Sequence, residues 1–261
     1  MHAKGHRKKD EFLLDDYCTR ILEVGPLKTW LKNFLRYEPL AETQNVRETI
    51  ESVRHGGLPF CPMSEGDLLF SLIRTNGYRD CLEIGFHTGS TALYMCSAVA
   101  EHDGQVTSIC IDDDNAVAPG LRLLADAGYT SRHQLIQENS NKVLPEKFLA
   151  GDKFDFVFVD GWKTFDHLAQ EIYFANQLLQ TGGTIAFDDS HMPSVRRALR
   201  LLQRYYKYEE VDYAQHNHNN RLRAFQVLAT RSLHRPYRAF TKTLDTAEQH
   251  PFQDLTFDED V

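Results

Sequence analysis

The stretch Cys81–Thr91 constrains the fold more than any other part of the chain. An apolar run reaches Glu83, a loop containing Gly85 and Gly89 follows at once, and a helical pattern begins at Ser90. A strand, an acid, a glycine turn and a helix in this order are how an α/β sheet builds a nucleoside-binding crevice at its strand ends. The stretch therefore predicts a parallel sheet with a ligand at this turn.

Strand and helix patterns alternate after this turn. They predict five strands, at 80–84, 106–111, 133–137, 154–159 and 184–187, and helices at 90–100, about 119–127, about 164–179 and 194–206. Runs that are apolar throughout indicate a sheet covered on both faces. Two further runs, 208–213 and 222–229, alternate as an antiparallel hairpin would. Together they predict a doubly wound, mostly parallel, seven-stranded α/β sheet with a C-terminal hairpin.

The length of 261 residues suits one such domain of about 200 residues with extensions. We expect a disordered leader at 1–10, a helical cap at 11–62, the nucleoside-binding domain at 63–230 and a loose tail at 231–261. No apolar run reaches the roughly 18 residues of a membrane span, which predicts no membrane insertion. The basic leader lacks the apolar core of a secretory signal.

Charge and cysteine usage exclude several classes of partner. The net charge of -8 disfavours nonspecific binding to nucleic acid. Five dispersed cysteines without a CxxC pair disfavour a disulfide framework and structural zinc, and they predict a reducing, cytoplasmic environment. The apolar faces of the N-terminal cap make a homodimer contact plausible.

The acid precedes the glycines of the loop, an order that favours S-adenosylmethionine over a dinucleotide. Glu83 is expected to hold the ammonium of this cofactor, directly or through water. Asp112, the first of three acids after the second strand, is expected to accept the ribose hydroxyls, although helix capping explains at least one of the three. Asn139 either binds the adenine edge or serves as a turn residue.

Three carboxylates follow two neighbouring strands. Asp160 ends the fourth strand, and Asp188 and Asp189 end the fifth. Neighbouring strand ends bring the three carboxylates close together, where their negative charges repel one another. A bound divalent cation such as Mg²⁺ would compensate this repulsion, and so would a raised pKa that keeps one acid neutral. The alternative is that Asp188 or Asp189 caps the next turn and no metal binds.

Two side chains near these acids are candidate proton acceptors. Lys163 lies three residues beyond Asp160, and burial can depress the pKa of a lysine there until it accepts a proton. His191 is the rival base, because it follows Asp189 closely. Trp162 packs over the cofactor or the substrate, or else anchors the core.

Together these residues resemble a class I S-adenosylmethionine-dependent methyltransferase over about 63–229. The resemblance is carried by Leu82–Gly85 with Gly89, by the acid after strand two, by Val159–Gly161 and by Gly182-Gly183. It implies the Rossmann-like methyltransferase fold and a methyl-transfer activity.

Within that superfamily, the segments Asp160–Lys163 and Asp188-Asp189 resemble the metal-dependent catechol O-methyltransferase type. That resemblance implies a small hydroxylated substrate, a metal on the three aspartates and Lys163 as base. The helix entry Met63–Gly66 resembles the cofactor-contacting segment of small-molecule O-methyltransferases.

The same resemblance adds Ser64, Phe86 and Ser90 to the expected cofactor contacts, and it includes Asp160 and Trp162 among them. Two positions depart from the pattern. His87 replaces the usual middle glycine of the loop, and Asp189 stands where catechol-type enzymes have asparagine.

Three alternative functions stay open at the level of sequence. One is a metal-independent O- or N-methyltransferase of the same fold. Another is a nicotinamide-dependent oxidoreductase, whose Gly-x-Gly-x-x-Gly fingerprint is broken here by His87. The last is a non-catalytic binding protein, which the intact Glu83, Gly85 and Gly89 disfavour.

Overall fold

The computed structural model describes residues 37, 39–53, 60–212 and 236–249. Within these ranges the α-helices are α1 Gln44–Val53, α2 Met63–Asn76, α3 Ser90–Ala100, α4 Asp114–Asp126, α5 Ser140–Ala150, α6 Phe165–Leu178 and α7 Pro193–Arg200. The strands are β1 Asp80–Ile84, β2 Gln105–Cys110, β3 His133–Gln137, β4 Phe154–Val159, β5 Leu179–Phe187, β6 Glu209–Glu210 and β7 Arg238–Thr241. None of the helices in these ranges is both long and apolar enough to cross a membrane.

The seven strands form one sheet in the order β3-β2-β1-β4-β5-β7-β6. Strands β1 to β5 are parallel, whereas β7 runs antiparallel to both of its neighbours. The chain moves outward in one direction from β1 and in the other from β4. A sheet of this kind opens a crevice at the point where the strand order reverses, beside the ends of β1 and β4. The predicted fold class is confirmed.

Both faces of the sheet are buried, as the apolar strands indicated. In β4 the side chains of Phe156 and Phe158 belong to a core cluster with α1 to α4. Those of Val157 and Val159 belong to a second cluster, packed with α5 to α7. This alternation with a period of two residues places helices on both faces.

The sequence predicted the central elements closely. Strands β1, β3 and β4 and helix α3 have the predicted bounds, and β2 is displaced by one residue. The helix expected from 119 begins earlier, at Asp114, because Asp113 caps it: the Asp113 carboxylate accepts from the N–H groups of Asn115 and Ala116 at 3.0 Å. The helix expected at 194–206 is α7 followed by a π-helical turn, Leu201–Tyr205.

Two elements differ from the prediction. Helix α5, between β3 and β4, was not predicted. Strand β5 begins five residues earlier than expected, because its register with β4 shifts across Gly182-Gly183 and the strand continues through the irregularity.

The C-terminal part requires a correction. Strand β7 comes from the stretch expected to be a loose tail, where Ala239 and Phe240 are buried against β5. The first strand of the predicted hairpin is reduced to Glu209–Glu210, and the second, at 222–229, lies outside the described residues. So do the leader at 1–10 and most of the cap at 11–62, of which α1 is described.

A buried lysine fixes the end of β7. Lys242 is 2% exposed, and its Nζ donates to the carbonyls of Asn176 and Leu179 and to Thr246 Oγ1 at 2.7–2.8 Å. The two carbonyls belong to the C-terminal end of α6 and the start of β5. The ammonium therefore joins the last described strand to an element more than 60 residues earlier in the chain.

Candidate active site

Three strand ends meet at the crevice. Ile84 of β1 is level with Val159 of β4, and Val159 is level with Phe187 of β5. The next residues, Gly85, Asp160 and Asp188, therefore follow side by side along one edge of the sheet. The structure thus brings the start of the glycine loop next to the acids that end β4 and β5.

Gly85 is fixed by both its conformation and its surroundings. Its φ is +107°, and a Cβ at this position would lie 2.6 Å from the carbonyl oxygen of Asp160. Residues with side chains rarely adopt this φ, and the neighbouring atom is backbone, which cannot rotate away. The glycine loop and Asp160 consequently depend on each other for their positions.

We expect Gly85→Ala to weaken S-adenosylmethionine binding by at least about tenfold, because the new methyl group displaces the backbone at Asp160. Gly77→Ala is the matched control, since its φ is +68° and no atom lies within 4 Å of its Cβ position. It should carry only the conformational cost. Calorimetric titration of both variants with the cofactor checks this, and wild-type affinity in Gly85→Ala would contradict it.

The remaining loop residues have distinct environments. Phe86 is 2% exposed and its ring lies in the core, so only its backbone is available to a cofactor. Ser90 is buried and accepts a hydrogen bond from the Cys61 N–H at 2.9 Å. His87 Nδ1 lies 3.5 Å from the Asp112 carboxylate, whose side chain is 38% exposed. Asp112 is therefore placed beside the loop, as expected of a ribose ligand.

Three other residues expected to contact the cofactor, Asn139, Ser64 and Trp162, differ in how available their side chains are. The Asn139 side-chain oxygen caps α5 by accepting from the Asn141 N–H at 2.8 Å, so the turn interpretation accounts for that atom. Ser64 is half-buried in the first turn of α2. Trp162 is 66% exposed, which excludes the core-anchor interpretation.

Glu83 lies deeper than expected. It is fully buried, its Oε1 accepts from Thr91 Oγ1, and its Oε2 accepts from Ser108 Oγ at 2.5 Å. Burial raises the pKa of Glu83 to about 8, although the two hydrogen bonds oppose the shift. Both oxygens are engaged within the protein, so the arrangement favours support of the loop over direct contact with the cofactor ammonium.

This raised pKa makes stability depend on pH. From about pH 4.5 to about pH 8 the folded protein keeps a proton that the unfolded chain releases. The free energy of unfolding therefore falls as pH rises through this window, by up to about 1.4 kcal/mol per pH unit from this group. Glu83→Gln should remove that contribution. Urea unfolding at a series of pH values measures it, with the exposed Glu146→Gln as control, and equal slopes in both variants would contradict it.

The acids near Lys163 are closely associated. Lys163 Nζ donates to Asp160 Oδ1 at 2.7 Å, and both side chains are partly buried. Burial acts to lower the pKa of Lys163, but the charges of Asp160, Asp188 and Asp189 outweigh it and raise the pKa. Burial, and then the charge of Asp160, raises the pKa of Asp188 well above its usual range. The three acids and Lys163 therefore lie close enough to interact electrostatically.

His191 follows these acids and is half-buried.

Sequence reasoning missed another buried acid near the site. Glu171 on α6 is fully buried behind Gly161. Glu171 Oε1 accepts from Ser140 Oγ at 2.9 Å and lies 3.1 Å from His167 Nε2, and burial raises its pKa to about 7. The sequence did carry a signal for this burial. Glu171 lies three residues after Leu168 and four before Ala175, which places it on the buried face of α6.

The chain is similar in sequence to known methyltransferases. A methyltransferase domain family matches residues 82–190. The caffeoyl-CoA O-methyltransferase of Populus kitakamiensis is 32% identical over 178 residues, which cover 65% of this chain and 72% of the relative. The chain belongs to the class I S-adenosylmethionine-dependent O-methyltransferases. The nicotinamide-dependent alternative accordingly has no support.

More distant proteins agree with this assignment. The flavonoid 3',5'-methyltransferase of Vitis vinifera is 27% identical to this O-methyltransferase over 57% of the chain, a match that spans 63% of that relative. Two solved structures share the fold. The O-methyltransferase TomG from Streptomyces achromogenes, in complex with S-adenosylmethionine, has a TM-score of 0.53 at 21% identity, covering 70% of this chain and 86% of TomG. An O-methyltransferase from Bacillus cereus in complex with S-adenosylhomocysteine has a TM-score of 0.55 at 16% identity, covering 76% and 89%.

Proposed function

We propose that this O-methyltransferase methylates a hydroxyl group of a small molecule with the help of a divalent cation held by Asp160, Asp188 and Asp189. The observation that carries the proposal is the crowding of three carboxyl groups at the ends of β4 and β5. These groups lie near one ammonium, that of Lys163, and burial and then the charge of Asp160 raise the pKa of the half-buried Asp188.

The donor set fits a hard cation in its chemistry. Carboxylate oxygens are the ligands that Mg²⁺ and Ca²⁺ prefer, and closely spaced carboxylates repel each other unless a positive charge compensates them. Within the part of the chain that the structure describes, no set of three acidic, histidine or cysteine side chains is already arranged to hold a metal. Instead, the Lys163 ammonium lies on Asp160, so binding of a cation requires these side chains to rearrange.

Each residue has a distinct part in the proposed reaction. A bound cation would supply Lewis-acid activation of the acceptor hydroxyl. The glycine loop and Asp112 hold S-adenosylmethionine as the methyl donor. The acceptor oxygen loses its proton and attacks the methyl carbon in line, and S-adenosylhomocysteine leaves. The protein contributes mainly placement and electrostatics.

Lys163 Nζ is our preferred acceptor for that proton, because it lies 2.7 Å from Asp160 and interacts electrostatically with Asp188 and Asp189. As the structure stands, the three carboxylates keep the ammonium charged. Once their charge is compensated, burial remains to lower the pKa of Lys163, which then can accept a proton at Nζ. His191 is the second candidate for the same role.

The acceptor class follows from the named relatives, which act on caffeoyl-CoA and on flavonoids. We propose a phenolic hydroxyl as acceptor, and caffeoyl-CoA and a catechol-bearing flavonoid are the first probes. An amine analogue of each probe separates O- from N-methylation.

Excess chelator should abolish methylation of these probes, and added Mg²⁺ should restore it, because the three carboxylates would otherwise repel the developing oxyanion. Radiolabelled methyl transfer measures turnover, and calorimetry with S-adenosylhomocysteine, run in the same buffer, confirms that the cofactor site stays intact. Equal turnover with and without chelator would show that the enzyme is metal-independent.

A further inference from the structure

A buried polar network lies behind the glycine loop and joins four elements of the fold. Its central members are Glu83 of β1 and Ser108 of β2, which are paired in the sheet register and both fully buried. Thr91 of α3 donates to one oxygen of Glu83, and Ser108 Oγ lies 2.5 Å from the other. Beyond Ser108, His133 Nε2 of β3 lies 2.8 Å from the same Oγ. The carboxyl under the loop is thus connected to the third strand.

His133 also reaches the loop by a second route. Its ring stacks on Phe86, with the ring centroids 5.0 Å apart and the planes inclined by 26°. The Phe86 ring fills the space beneath the loop: a Cβ on Gly89 would lie 2.9 Å from it, and one on Gly120 would lie 2.8 Å from it. The position of the Phe86 ring therefore sets how closely Gly89 and α4 approach.

We propose that His133 is a positioning residue for cofactor binding, which orients Glu83 through Ser108 and supports Gly89 through Phe86. It contacts Ser108 and Phe86 from a strand that no expected site residue occupies. The inference rests on the glycine loop being the cofactor site, which Gly85→Ala tests separately.

A neutral imidazole suits this position because Ser108 must exchange its donor and acceptor roles with the protonation state of Glu83. Ser108 has one hydroxyl proton and two polar neighbours. When Glu83 is ionised, Ser108 donates to it and accepts from His133 Nε2–H; when Glu83 is protonated, Glu83 donates to Ser108, which then donates to His133 Nε2. A neutral histidine can serve as donor or acceptor by exchanging tautomers. Burial lowers the pKa of His133 to about 4, which keeps the ring neutral.

Two variants separate the two routes. His133→Phe keeps a ring against Phe86 but removes the hydrogen bond, whereas His133→Gln keeps an amide that can donate or accept but removes the ring. Gln134→Ala, at the exposed neighbouring position, is the matched control. Asp160, Cys61 and Cys96 are the titratable groups of the described residues that interact electrostatically with Glu83, whereas His133 reaches it through Ser108.

The test is calorimetric measurement of the Kd for S-adenosylmethionine from pH 6 to 9, with thermal unfolding and kcat at saturating cofactor. We expect His133→Phe to weaken binding about fivefold to tenfold, as one buried hydrogen bond predicts, with kcat changed less than about twofold. It should also move the pH midpoint of Kd to lower pH, because the protonated carboxyl loses the acceptor that ends its hydrogen-bond chain. His133→Gln should weaken binding but keep the midpoint.

The outcomes distinguish a positioning role from a structural one. A lower melting temperature with unchanged Kd and pH midpoint in both variants would overturn the proposal, as would binding equal to the Gln134→Ala control. If His133→Phe does not fold, His133→Gln decides by its Kd alone. If Gly85→Ala binds the cofactor normally, the location of the cofactor site is wrong, and that result is separate from the behaviour of His133.

Discussion

Asp188→Asn is expected to lower kcat by about 10²–10³-fold while the affinity for S-adenosylmethionine changes less than about threefold. Asp188 is one of the three carboxyl groups proposed to hold the cation, and an amide in its place would hold that cation, and so activate the acceptor hydroxyl, more weakly. The glycine loop and Asp112 do not depend on that charge. Steady-state methyl transfer and cofactor titration of the same preparation measure the two effects.

Asp189→Asn is the matched control for this variant, because it makes the same chemical change at the next position. Asp189 has a φ of +51°, a left-handed conformation that asparagine also tolerates. Asparagine is moreover the residue that the catechol-type pattern has there. We expect Asp189→Asn to retain activity within a few fold, and similar losses in both variants would show that the two carboxylates contribute only net charge.

Lys163→Met should lower kcat by about 10²–10⁴-fold, the range for loss of a general base. Methionine preserves much of the side-chain length but cannot accept the hydroxyl proton. The variant also removes the ammonium from Asp160, so thermal unfolding must be measured with turnover to separate a folding defect from a catalytic one.

His191→Gln distinguishes the two candidate bases. We expect it to retain at least about a third of wild-type kcat, because no proton transfer depends on it when Lys163 is the base. The reverse result, a large loss in His191→Gln with a small one in Lys163→Met, would assign the proton transfer to His191. A small loss in both would indicate that the substrate ionises without a protein base.

The sequence predicted the sheet centre because its strands are mostly apolar. Strands such as β4, bounded by polar residues and buried on both faces, are visible from composition alone. Helix α5 was missed because Pro145 lies within it and its hydrophobic pattern is weak. Strand β7 was missed because it has four residues, and only pairing with β5 buries them.

In the site, the positions of residues were predictable from the sequence, whereas the orientations of their side chains were not. The positions of Gly85, Asp160 and Asp188 were predictable, since each directly follows a parallel strand whose end defines the crevice. The orientation of side chains was not. The sequence does not show that Glu83 turns to Ser108 or that the Phe86 ring packs on His133, because those contacts join residues from different strands and loops.

The place of β7 in the sheet has a consequence for biosynthesis. β5 ends at Phe187, but its outer neighbour begins only at Arg238, so roughly fifty further residues must leave the ribosome before that edge is paired. Until then the nascent chain lacks the strand that pairs with Thr184–Phe187, and an unpaired strand edge is a template for association with other chains. Chaperone demand should therefore peak late in translation, and ribosomes that stall before Arg238 should release an aggregating fragment rather than a smaller enzyme.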